Sequence, residues 1–206
     1  MNITLSNELK QHILQNRIKY ISVVSALFIG LFAGTLFTSN GGLSSGYADN
    51  FVSMYKLQGV SPSHIFAYSL ISYLRIIAVI WISGRYVFLM PLCFIQVASK
   101  GFGIGCTISY MVSCFGMSGA VFGFLSMFFQ SIIFIPMLTI YSVYQINFSL
   151  DYRKVKSSPA AFKQKRRMLI SDLKILLLIL LVVLLCTCIE AYIVPPLIKP
   201  ICTKFM

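Results

Sequence analysis

The chain has 206 residues, of which 58% are hydrophobic and 11% charged, with a mean hydropathy of +0.85 and a net charge of +12. A soluble domain carries about 25% charged residues, so this composition excludes an ordinary soluble fold and leaves an all-α, polytopic integral membrane protein. Apolar segments and short connections fill nearly the whole length, so residues 1–206 read as a single membrane domain.

Residues 1–19 are polar, carry Lys10, Arg17 and Lys19, and read as a cytoplasmic tail. The apolar run Tyr20 to Thr38 is long enough to span, since about 20 residues cross the hydrocarbon core. Ser39-Asn40-Gly41-Gly42 follows it, which is not a small-residue cleavage site, so the run reads as a retained first helix. The loop 39–63 is nearly neutral, with Asp49 against Lys56, and reads as external. A second helix over about His64–Ser83 ends at Gly84-Arg85 and returns to the basic side.

Two long apolar stretches follow. Tyr86–Cys114 is interrupted at Ser99-Lys100-Gly101, and Ser118–Tyr144 carries Pro136 in its second half. Each is too long for one straight span and short for two. The basic stretch after them must lie inside, so the number of crossings is even. Two crossings with broken or re-entrant half-helices in segments 86–147 satisfy the charge rule.

The stretch 149–168 reads as a basic cytoplasmic loop, with Arg153, Lys154, Lys156, Lys163, Lys165, Arg166 and Arg167 facing anionic lipid rather than nucleic acid. Asp151 and Asp172 are counted with that basic region. A fifth helix over about Leu169–Tyr192 leaves the cytoplasm, and 193–206 forms a short external tail. The total is five spans, N-terminus inside and C-terminus outside.

Glu190 closes the last apolar run, just before Pro195-Pro196, and is the one carboxylate read as belonging to a hydrophobic segment. A carboxylate there costs roughly 2.5 kcal/mol or more at the midplane and less toward an interface. Near the outer face, the expected place of Glu190, that cost is smaller, and the proline pair stops the helix behind it. Lys100 and Arg75 are the cations available to it. Arg75, mid-helix in the second span, should face the bundle interior, and Lys100 at the expected break is the favoured partner. Gln130 is a polar side chain that should bond a neighbouring helix or a carbonyl freed near Pro136.

The run Gly101-Phe102-Gly103-Ile104-Gly105 is not a nucleotide fingerprint, because its glycine spacing is wrong and no soluble strand precedes it. Its useful feature is the pair Gly101 and Gly105, a spacing repeated by Gly119 and Gly123 and by Gly30 and Gly34. Such small-xxx-small faces let helix backbones approach closely in lipid, within the chain or in a homo-oligomer. The six cysteines show no Cys-x-x-Cys pair and read as small apolar fillers. No nucleophile, base and acid come together, no metal-ligand spacing is present and no phosphate loop exists. The residues therefore point to no enzyme, no metal and no cofactor.

Three stretches carry a resemblance: Lys100-Gly-Phe-Gly-Ile-Gly, Phe122 through Gln130 to Pro136, and Ile189-Glu-Ala-Tyr-Ile-Val-Pro195-Pro-Leu-Ile-Lys199. With Trp81-Ile-Ser-Gly84 they resemble the stage II sporulation protein M family along about the whole chain. Phe128-Phe129-Gln130-Ser131 departs from that family's common Leu-Pro-Gln-Asn. The resemblance implies a cell-membrane protein of endospore formers that acts in engulfment. It would be a scaffold at the septum for two peptidoglycan-remodelling enzymes, sporulation proteins D and P, without hydrolysing anything itself. The competing reading is a transporter or peptide-secretion accessory built around the intramembrane Glu190, which would need a water-accessible path to Glu190, Lys100 and Gln130.

Overall fold

The computed structural model describes residues 14–41, 62–155 and 159–193. These form four helices and no strand: α1 (Arg17–Ser39), α2 (Pro62–Ser83), α3 (Pro91–Lys154) and α4 (Pro159–Cys188). A 3₁₀ turn at Val87–Leu89 precedes α3, and a π-helical turn at Ile189–Ile193 extends α4. Five stretches are long and apolar enough to cross a membrane: Arg17–Ser39, Ser63–Ser83, Val87–Ser113, Ser131–Lys154 and Phe162–Tyr192. Five is the number that hydropathy and charge predict.

The ends of these helices follow from local chemistry. Gly41, at φ 77, stops α1 while the Asn40 and Gly41 N–H groups bond back to Leu36 and Thr38. Pro62 and Pro91 sit at helix starts, where a missing N–H costs nothing. Between α2 and α3 the chain turns within a few residues, with the Gly84 N–H returning to the Ile80 carbonyl. A Cβ at Gly84 would run into the Gln145 side chain, so glycine is what lets this turn lie against α3.

Helix α3 is long enough to cross twice, and it divides at Gly116, whose φ 60 and ψ −141 are not helical. That conformation is open to glycine and strained for other residues. The two limbs are the spans Val87–Ser113 and Ser131–Lys154. The break therefore lies inside the region expected to be broken, but not at Ser99-Lys100-Gly101, through which the helix runs unbroken. Pro136 is likewise carried within the second limb without ending it. Most of the stretch expected as the basic loop is helical too, because α3 continues to Lys154 and α4 begins at Pro159.

The glycines at 101 and 105 pack rather than break. A Cβ on either would overlap the carbonyl of Leu27 or Leu31, and a Cβ on Gly30 or Gly34 would overlap that of Ala98 or Phe102. The two small-xxx-small faces therefore press backbone to backbone, joining α1 to the first limb of α3. Hydrogen bonds from Cys106 Sγ to the Gly34 carbonyl and from Ser109 Oγ to the Thr35 carbonyl, each 3.4 Å, extend the seam. Gly103 lies off it, with nothing within 4 Å of its would-be Cβ. The remaining core unites Tyr73, Ile77 and Ile80 of α2 with Phe134, Leu138 and Tyr141 of the second limb and Ile179 and Val183 of α4.

Candidate functional site

Two polar sites lie within the apolar bundle. On α4 the inward stripe runs Asp172, Leu176, Ile179, Val183, Cys186, Glu190, in steps of three and four. Helical periodicity thus aims both carboxylates at the core, about 27 Å apart along the axis.

The Glu190 site gathers side chains from α2, both limbs of α3 and the π turn. Tyr73 Oη donates a 3.0 Å hydrogen bond to Glu190 Oε2. The Tyr73 ring packs on Phe134, with centroids 4.4 Å apart. Lys100 Nζ stands 4.9 Å from the Tyr73 centroid and 5.4 Å from that of Phe134, within cation–π range. Lys100 and Glu190 meet the same tyrosine, one on its ring face and the other at its hydroxyl. A neutral donor, an opposite charge and two ring faces thus surround charges that lipid alone would penalise. Tyr73 lies midway along α2, and its hydroxyl is the group that reaches Glu190. A π turn adds a residue to the helical winding and is often found at functional sites. Here it carries Glu190 itself.

Arg75 belongs to no such cluster. It is exposed on the outer side of α2, in line with Tyr68, Ile71 and Ile82, rather than facing the interior. The reason is phase: Tyr73, Ile76, Ile77 and Ile80 form the inward face of α2, and Arg75 falls opposite them.

The second site was hidden in the sequence. Asp172, counted there with the basic region, is fully buried. Its Oδ2 accepts hydrogen bonds from Trp81 Nε1 at 2.9 Å and Arg85 Nη2 at 2.8 Å. Its Oδ1 accepts one from Gln145 Nε2 at 2.8 Å. Arg85 also lies 4.4 Å over Trp81 and 5.3 Å over Phe148. The stripe on α4 is the signal that could have found Asp172. Its three donors come from sequence positions too distant to pair by inspection.

Among the other predicted residues, Arg153, Lys154, Lys163, Arg166 and Arg167 are exposed at one end of the bundle, and Lys165 lies 5.3 Å over the Tyr152 ring. Gly119, Gly123 and Gln130 lie on helical backbone, outside the residues whose side chains are described. Lys156, Pro195 and Pro196, and most of loop 39–63, lie outside the described residues. Among those described, no three His, Cys, Asp or Glu side chains gather as a metal site would need.

Both sites can hold helices in register and neutralise charge. In comparison with known proteins, residues 21–195 match the family model described as stage II sporulation protein M. No curated protein and no solved structure matches the chain.

Proposed function

Because this chain belongs to the stage II sporulation protein M family, we propose that it is a non-enzymatic membrane scaffold for forespore engulfment. In this reading it recruits the peptidoglycan-remodelling sporulation proteins D and P to the septum. That it is a multi-helix membrane protein of a sporulation family is the premise. The partners and the septal place are the proposal.

The observation that carries the reading is where the interior charges go. Asp172 spends both its oxygens on Trp81, Arg85 and Gln145, and Glu190 takes the Tyr73 hydroxyl beside Lys100. Charges committed to one another cross-link helices, which suits a rigid platform better than a turnover site. Arg75 supports the same reading. An arginine exposed midway through a span is costly in lipid and less so against a partner's membrane helix. The wall enzymes would dock on the outer face, through loop 39–63 and the tail.

Co-purification from sporulating cells tests it. Recovery of both wall enzymes with the wild-type chain, and their loss with Arg75→Leu at unchanged membrane levels, supports the scaffold. Recovery of neither with the wild type overturns it.

One observation favours the transporter reading: a cation, Lys100, and a carboxylate, Glu190, both meet the Tyr73 side chain within the bundle. A cysteine at position 100 or 190 that reacts with a small water-soluble thiol reagent in intact membranes would favour that reading over the scaffold.

A further inference from the structure

A cleft of about 520 Å³ opens at the basic end of the bundle, between the start of α1, the end of α3 and the early turns of α4. It adjoins the Asp172 site, with which it shares Phe148, but contains neither interior carboxylate. Its volume falls within the roughly 300–1,000 Å³ of small-molecule pockets. Lys19 reaches into it, held by Asn16 Oδ1 at 3.3 Å and by Asn147 Oδ1. Lys19 and Asn147 thereby tie α1 to α3 across one wall. Phe148 and Met168 supply apolar surface, while Gln15, Ser171 and the Tyr144 hydroxyl add polar groups.

The charge count of this lining selects a ligand class. Asp151 is paired with Lys154 at 3.0 Å, so Lys19 is the cation within the cleft that no carboxylate claims among the described residues. One such cation suits a singly charged phosphodiester. A phosphomonoester or polyphosphate, with more negative charge, would meet Asp151 without further compensation. The amides of Gln15, Asn16 and Asn147 and the Asp151 carboxylate suit vicinal hydroxyls, which both donate and accept. The cleft sits where the helices carry Arg17, Arg153 and Lys165, a basic end of the kind that anionic lipid headgroups attract.

We propose that this cleft binds a phosphoglycerol group, presented as the headgroup of phosphatidylglycerol. It extends the general attraction of the basic segment for anionic lipid to one headgroup chemistry at one place. It does not depend on the scaffold reading.

The test uses the full-length protein in nanodiscs of phosphatidylcholine doped with either phosphatidylglycerol or phosphatidylserine, read by lipid retention in native mass spectrometry. Both dopants are anionic, but only the first carries a diol. The expected result is preferential retention of phosphatidylglycerol. Lys19→Gln should reduce it about tenfold, the loss of one charged hydrogen bond. Asn147→Leu, the second variant, should erase the preference between the two lipids. Lys163→Gln, outside the cleft, should lower retention of both equally and leave the preference intact. Equal retention of both lipids by the wild type, or a preference unchanged in both cleft variants that still run as folded species, would overturn the proposal. Soluble glycerophosphoglycerol, a phosphodiester with the same diol, that displaces the lipid at equal concentration would also overturn the lipid source, leaving a free metabolite as the ligand.

Discussion

Tyr73 and Glu190, separated by most of the chain, meet in a 3.0 Å hydrogen bond at the middle of α2. The same tyrosine ring carries Lys100 on its face. One residue therefore bridges the carboxylate and the cation, satisfying the first through its hydroxyl and the second through its π system. Removing the hydroxyl alone should separate these roles. Tyr73→Phe keeps the ring under Lys100 and should lower stability by about 1.5–3 kcal/mol, the usual worth of a hydrogen bond to a charged group. A double-mutant cycle with Lys100→Met should give a coupling of about 0.5 kcal/mol or more, read by denaturation in mild detergent. Additive losses would show that the two contacts are independent.

Asp172 should matter more to folding than any surface charge. Asp172→Ala leaves Arg85 without its buried counter-ion and removes the acceptor of Trp81 and Gln145. Loss of one partner of a buried pair typically costs about 3–5 kcal/mol. The variant should melt far below the wild type or fail to accumulate in the membrane. Tyr141 Oη and Gln145 Oε1 are already buried without partners, so this corner has little spare polar satisfaction. A melting point within a few degrees of wild type would refute the load assigned to Asp172.

The glycine seam gives a position-specific prediction. Gly101→Leu and Gly30→Leu force side chains into opposing backbone and should each destabilise by about 1–3 kcal/mol or more. Gly103→Ala, with open space around it, should be neutral or slightly stabilising, because alanine is the better helix former. Thermal unfolding of the three variants side by side decides the matter. Equal tolerance at all three positions would remove the seam from the account.

Much of this fold was legible in the sequence, and the reasons are local. Hydropathy marks the five spans because each must cover its own backbone in lipid. Glycine spacing marks the seam, since both halves of it can be read within one helix turn. The break lies at Gly116 rather than at Lys100, although a lysine beside glycines looks like an interruption. A lysine can stay on a continuous helix when ring faces receive it, and those rings arrive from Tyr73 and Phe134. The cost of Arg75 in lipid argues for an inward side chain, but the phase of α2 turns it outward. Asp172 is hidden for a different reason. It stands between Ser171 and Leu173 just beyond a basic run, and only its distant partners reveal that it is core.

The charge pattern predicts a sidedness that can be checked directly. A cysteine replacing Asp49 should react with a membrane-impermeant reagent added to intact cells, and one replacing Lys163 should not. The reverse pattern would invert the topology and move the headgroup cleft to the other leaflet.

The most direct test of the scaffold reading is to follow fluorescent sporulation proteins D and P in sporulating cells that express Glu190→Gln. The account predicts that the variant reaches the membrane at normal levels while both enzymes lose their septal foci and engulfment stalls. Normal foci and normal engulfment in that strain would contradict it.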